Sequence, residues 1–184
     1  MDIPMVLQIE EDADLEQMIA IHGKAILRYC HLLLRDYHEA QDVVQTTFIR
    51  AFYSNVSIGY ARGNMAPLLY KIAYNCSMDI LRKRKRLFSF LDKEKHTANH
   101  AYYMEDAIDG MSEEVSAALG ILSPQDRALV ISRLVDGMDY DELSHIYNTS
   151  TATLRKRYER AKKRLADALR NQGLEGAYGK KQNT

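Results

Sequence analysis

Apolar positions along this chain recur every three or four residues almost throughout, and no alternating, strand-like run persists. One series runs Leu15, Met18, Ile19, His22, Ile26, Tyr29, Leu33. A second, from Glu39, runs Val43, Val44, Thr47, Phe48, Ala51, Phe52. Gly59, Gly63 and Pro67 then break the pattern and place a loop over 54–66. From Leu68 a third long helix is marked by Leu69, Ile72, Ala73, Cys76 and Ile80. Residues 92–112, DKEKHTANHAYYMEDAIDGMS, are polar, acidic and poorly periodic, and too long for a loop inside one compact domain. They read as a linker. Beyond them, Ser123 with Pro124 forms an N-cap with proline at the first helical position, and the helix stops at Asp136-Gly137. Asp139 caps the next helix with Glu142 in the capping-box position, and Tyr140, Leu143, Ile146 and Tyr147 give it an apolar side. A turn at 148–150 leads into a last helix over 151–170, with Leu154, Tyr158, Ala161, Leu165 and Ala168 facing inward. The pattern predicts an all-α chain of two small helical domains, 12–91 and 113–172, joined by a flexible linker over 92–112 and followed by a frayed tail over 173–184.

Charge sharpens this division. The chain holds 25 basic and 25 acidic side chains, but in blocks: 1–20 is purely acidic, 21–91 carries a net +7, 92–122 a net −5, 123–150 a net −3 and 151–170 a net +6. Neutrality is therefore an average over two basic blocks and the acidic segments around them, and each basic block deserves its own reading. The first culminates in five consecutive cations, Arg82-Lys83-Arg84-Lys85-Arg86, at the C-terminal end of its helix, where the helix dipole favours positive charge. The second coincides with the last helix.

Short helix, three-residue turn, longer helix is helix-turn-helix architecture, whose second helix presents its N-terminal residues to the DNA major groove. The exposed candidates there are Thr151, Thr153, Arg155, Lys156 and Arg157, followed by Arg160, Lys163 and Arg164. Arginine can engage guanine edges in bidentate fashion, threonine can meet other bases, and the more distal cations suit phosphates. A solvated amphipathic helix in a bundle is the alternative, but such a helix mixes charges where this one has eight bases against two acids. In the first basic block, the helix over 68–86 also carries Tyr70, Lys71, Tyr74 and Asn75, and the loop before it offers Tyr60, Arg62 and Asn64. Cations that track a backbone, aromatics that stack on unpaired bases and amides that read base edges suit single-stranded or opening DNA. Core packing is the competing reading for each tyrosine taken singly.

Three stretches then show a family resemblance. HEAQDVVQTTFIRAF (38–52) resembles the polymerase-binding helix of a bacterial RNA polymerase sigma factor, and LLYKIAYNCSMDILRKRKR (68–86) resembles the helix that follows it. LSPQDRALVISRLVDGMDYDELSHIYNTSTATLRKRYERAKKRLADAL (122–169) resembles the family's C-terminal promoter-reading domain. The three occur in order, and two domains joined by a short linker resemble the extracytoplasmic-function (ECF) group of the sigma-70 family. The resemblance implies a region 2 bundle that binds core RNA polymerase and opens DNA at the -10 element, and a region 4 helix-turn-helix that reads duplex DNA at -35. Carried over by position, Asp42, Gln45 and Phe48 match the polymerase-contacting pattern. Arg62, Asn64, Lys71, Tyr74, Asn75, Arg82, Arg84 and Arg86 form the -10 set, with Asn75 matching an amide that helps capture a flipped base. An anti-sigma factor is an implied further partner. Where the family often has Trp-Leu-Tyr, this chain has Leu68-Leu69-Tyr70.

Catalysis is not expected. The six histidines are scattered, Cys30 and Cys76 form no ligand motif, and no phosphate-binding glycine loop or nucleophile elbow is present. No cofactor is implied. The cysteines read as buried thiols, with a redox role the alternative. The opening residues show no secretion leader and no apolar run spans a membrane, so a cytoplasmic protein is expected. Three rivals stay open: a stand-alone helix-turn-helix regulator, a sigma-mimic adaptor, and a helical nucleic-acid-processing enzyme.

Overall fold

The computed structural model describes residues 5–58, 65–91 and 113–171. The chain divides into two compact units, Met1–Lys95 and His96–Thr184. Among the described residues every regular element is helical.

In the first unit α1 (Met5–Leu34), α2 (Tyr37–Ile58) and α3 (Ala66–Leu91) each pack on the other two. Their shared core contains Ile26, Tyr29 and Leu33 of α1, Val43, Phe48 and Ala51 of α2, and Leu69 and Ala73 of α3. These are the three- and four-spaced positions of the sequence, because only one stripe of each helix can face the other two. Truncating a fully buried leucine of this kind to alanine costs about 2–5 kcal/mol. The rings of Tyr29 and Tyr70 meet edge to face, 5.0 Å between centroids, and join α1 to α3. The α1–α2 corner is tight. Arg35 takes a left-handed conformation (φ 57°) with its N–H bonded to the His31 carbonyl at 2.7 Å, and the Asp36 carboxylate accepts the Glu39 N–H at 2.9 Å to cap α2. α2 runs to Ile58, into residues expected to form a loop, and α3 starts at Ala66 with Pro67 in its first turn, where a missing N–H breaks no helical bond.

The second unit comprises α4 (Glu113–Gly120), α5 (Pro124–Val130) with a π-helical continuation (Ile131–Val135), α6 (Tyr140–Tyr147) and α7 (Thr151–Asn171). α4, α5 and α6 all pack on α7. Leu154, Tyr158, Ala161, Leu165 and Ala168 are the buried side of α7, as the pattern predicts. The caps also form as expected: the Ser123 hydroxyl accepts the Asp126 N–H, and Asp139 and Glu142 close a reciprocal capping box on α6. Two features lie outside the sequence expectation. Arg127 is buried and donates to the carbonyls of Leu119 (2.9 Å), Gly120 (3.2 Å) and Leu122 (3.3 Å), satisfying the open C-terminal end of α4 and the turn after it. The π-helical segment meets α6 through Tyr147, whose hydroxyl donates to the Ala128 carbonyl at 3.1 Å and lies 2.8 Å from the Ser132 hydroxyl. Gly137, at φ 72°, supplies the left-handed residue that follows this segment.

Candidate nucleic-acid and polymerase interface

On α2, the positions Asp42, Gln45, Ile49 and Tyr53 are spaced by three and four and all are exposed, so they form one continuous stripe. Asp42 and Gln45 belong to the expected polymerase set. Ile49 and Tyr53, at 47% and 66% exposure, are large apolar side chains that the sequence reading passed over. Continuing the stripe from Asp42 would have found them. Phe48 is 3% exposed and fills the core, so it positions this stripe from beneath, and the expectation that it touches a partner is corrected.

α3 presents a second stripe. Lys71, Asn75, Asp79, Arg82 and Arg86 are exposed at helical spacing along one side. Tyr74 is half-buried beside it. Between the two helices lies an open pocket of about 390 Å³ lined by Ile49, Arg50, Tyr53, Ser54, Ile72 and Asn75. It offers apolar walls, a guanidinium and an amide, a set able to stack on a flat heterocycle and hydrogen-bond its edge. Behind it, Arg50 donates to the Cys76 sulfur at 3.4 Å. Tyr70, 4% exposed and packed on Tyr29, is a core residue and not a stacking platform. Arg62 and Asn64 lie outside the described residues.

The basic run divides by helical phase. Arg84 falls on the same side of α3 as the buried Ala73 and Ser77, and reaches the α1–α2 corner. There it donates to Glu39 through two nitrogens, one at 3.2 Å, and to the Leu34 carbonyl at 3.0 Å, with Asp36 3.6 Å away. Arg84 thus closes the end of α1 and the start of α2. Its neighbours Arg82, Lys83, Lys85 and Arg86 are exposed. Arg82 pairs with Asp79 at 2.6 Å on the surface, a contact of small energetic weight.

In the second unit the turn between α6 and α7 is set by Asn148, in the left-handed region at φ 47° and ψ 50°. Asparagine tolerates that conformation better than most side chains. Ser150 opens α7, its hydroxyl 2.8 Å from that of Thr153 and its carbonyl accepting the Leu154 N–H at 3.0 Å. Thr153, Arg155, Lys156, Arg160, Lys163 and Arg164 are exposed along α7, and Thr151 is half-buried at its start. Arg157 is different: two of its nitrogens donate to one carboxylate oxygen of Asp126 on α5. The structure therefore gives Arg84 and Arg157 partners within their own units, and the outward-facing cations among the described residues are Lys71, Arg82 and Arg86 of the first set and Arg155, Lys156, Arg160, Lys163 and Arg164 of the second. Arg155 lies against the ring of Tyr140, its guanidinium carbon 5.2 Å from the ring centroid.

Among the described residues no group of three or more His, Cys, Asp and Glu side chains comes together as a metal site, and no helix is long and apolar enough to cross a membrane.

Residues 18–87 match the family model described as Sigma-70 region 2, and residues 112–165 match Sigma-70, region 4. The chain belongs to the ECF group of the sigma-70 family. It is 29% identical over 181 residues to the ECF RNA polymerase sigma factor SigW of Bacillus subtilis (strain 168), covering 92% of this chain and 95% of that one. With the ECF RNA polymerase sigma factor SigE of Mycolicibacterium smegmatis it shares 26% identity over 170 residues, 88% of this chain, but spans only 64% of that protein's length. Among solved structures, the sigma factor RpoE from Bartonella quintana, crystallised with the anti-sigma factor NepR, superposes with a TM-score of 0.69 at 23% identity, over 85% of this chain and 97% of that one. CnrH, in complex with the cytosolic domain of CnrY, gives 0.63 at 20% identity, over 87% and 90%. These two likenesses establish the fold. Sigma factors of this family are transcription initiation factors: they join core RNA polymerase and direct it to promoter DNA.

Proposed function

We propose that this chain is an alternative sigma factor that divides its work between its two units. The first docks on core polymerase through the α2 stripe of Asp42, Gln45, Ile49 and Tyr53, and holds the opened -10 strand along Lys71, Tyr74, Asn75, Arg82 and Arg86. The second sets α7 into the major groove at -35, with Thr151, Thr153, Arg155 and Lys156 nearest the bases and Arg160, Lys163 and Arg164 on phosphates. The observation that carries this reading is the exposure of Asn75 on the rim of the α2–α3 pocket. An amide at the mouth of an apolar, cation-flanked recess is equipment for an unpaired base, and a regulator that binds only duplex has no use for it.

In this reading the chain does no chemistry of its own, since nucleotide addition belongs to the polymerase, and it works in the cytoplasm where that enzyme acts. An anti-sigma protein is a further partner by analogy with the sigma factor RpoE, which was crystallised in complex with the anti-sigma factor NepR. The test is run-off transcription with purified core polymerase and a library of promoter templates. The expected result is a stable complex with core enzyme and initiation from a subset of templates that share two separated elements. No complex, or no initiation from any template, would overturn the reading.

A further inference from the structure

Tyr140 is the first residue of α6, directly after the capping Asp139. The guanidinium carbons of two arginines lie 5.2 Å from its ring centroid: Arg155, from the exposed side of α7, and Arg133, from the π-helical segment. The ring is itself fixed. Tyr158, a buried residue of α7, meets it nearly perpendicular, at 6.3 Å and 79°. Arg133 is fixed as well, donating to the Met138 carbonyl at 2.9 Å. Among the described residues no backbone carbonyl anchors Arg155 in this way; its ordering contact is the aromatic face.

This arrangement has a physical consequence for DNA reading. A free arginine side chain on a helix samples many rotamers and loses that freedom when it grips a base or phosphate. A guanidinium resting on a tyrosine ring is attracted by the ring's negative face and has already lost part of that freedom. Gathering two guanidiniums at one ring also leaves them mutually repelled, and an approaching phosphate relieves the repulsion.

We propose that Tyr140 is the positioning residue for Arg155, holding its guanidinium against an aromatic shelf at the start of the DNA-reading helix before DNA arrives. The proposal rests on the duplex-reading role given to α7 above. Tyr140 itself touches no base in this scheme. It acts through Arg155, and Arg133 joins the positive surface from outside the helix-turn-helix.

The experiment uses the full chain assembled with core polymerase and a duplex promoter library randomised over the upstream element. Wild type is compared with Tyr140→Phe, Tyr140→Leu, Arg155→Ala and the Tyr140→Leu/Arg155→Ala double variant. Tyr140→Phe keeps the ring and should keep upstream discrimination. Tyr140→Leu should weaken it about two- to five-fold, the range of an exposed cation–π contact. In the Arg155→Ala background the same Tyr140→Leu change should add nothing, since the Arg155 contact is already gone and Arg133 keeps its bond to the Met138 carbonyl. A purely structural Tyr140 would instead lower discrimination equally in both backgrounds, and that result overturns the proposal, as does a Phe variant as damaged as the Leu variant. Thermal unfolding of each variant monitors folding, and where Tyr140→Leu fails to fold, Tyr140→Met carries the same comparison. A wild-type holoenzyme that initiates yet selects no upstream sequence would instead remove the duplex-reading role itself.

Discussion

Arg157 of α7 and Asp126 of α5 are joined by two hydrogen bonds to a single carboxylate oxygen, at 3.1 and 2.9 Å. The pair ties α7 to the helix packed against it. Both side chains are largely covered, so the contact belongs between a surface ion pair and a buried one in energetic weight. Asp126→Ala is expected to lower the stability of the second unit by about 1–2 kcal/mol, measured by urea unfolding. Arg157→Ala should do the same, so any loss of promoter binding by that variant must be read beside its stability.

The two neighbouring arginines of α3 should separate folding from DNA binding. Arg84→Ala removes the bonds to Glu39 and Leu34 and should destabilise the first unit by about 1–2 kcal/mol. Arg82→Ala should leave the unfolding midpoint within about 0.5 kcal/mol of wild type, because its Asp79 partner is exposed, while weakening DNA retention most at low salt. Paired urea titrations and salt-dependent filter binding of the holoenzyme check both.

Asn75→Ala is expected to impair promoter opening and spare closed-complex formation. Loss of an amide–base contact is worth about 1–3 kcal/mol, and permanganate reactivity of unpaired thymines at the -10 element reads it directly.

Cysteine reactivity should follow burial. Cys30 is fully buried, and loss of water around it pushes its thiol up to about 12. Cys76 is half-buried and raised as well, chiefly by burial, with Arg50 opposing. A maleimide should label Cys76 first and Cys30 only on unfolding, as mapped by peptide mass spectrometry, because the thiolate is the reactive form.

Burial lowers the pKa of His22 and of His31, in the latter case against the pull of Asp36. The unfolded chain therefore binds these protons more readily than the folded one. Stability held above the ordinary imidazole value, about 6.5, should decline as pH falls below it toward the depressed folded values. Urea midpoints of the first unit at about pH 7.5 and about pH 5.5 should differ in that sense, and His31→Gln should flatten the difference.

Much of the fold was legible because its signals are local. Ser123 before Pro124, and Asp139 three residues before Glu142, name their helix starts by cap chemistry alone, and α7 betrayed its buried side by spacing. The inward turn of Arg84 was legible too, since it lies in phase with Ala73 and Ser77; the run of five charges masked a distinction that helical phase makes. Other features depend on distant partners. α4 is eight residues long and is finished by Arg127 from the next helix. The π-helical segment is met by Tyr147 from α6. Tyr70 could be sorted into the core only once Tyr29 was seen beside it. The α2–α3 pocket needed two helices at once: helical spacing from Asp42 reaches Ile49 and Tyr53, but not their meeting with Ile72 and Asn75.

The left-handed Asn148 confers an asymmetry on how this protein can diversify. Asn148 sets the turn by which the chain enters α7, while the bases proposed to be read are met by side chains along the outer side of that helix. On the proposed reading, promoter preference can drift by exchanging those outer residues one at a time, without re-engineering the turn that leads into them.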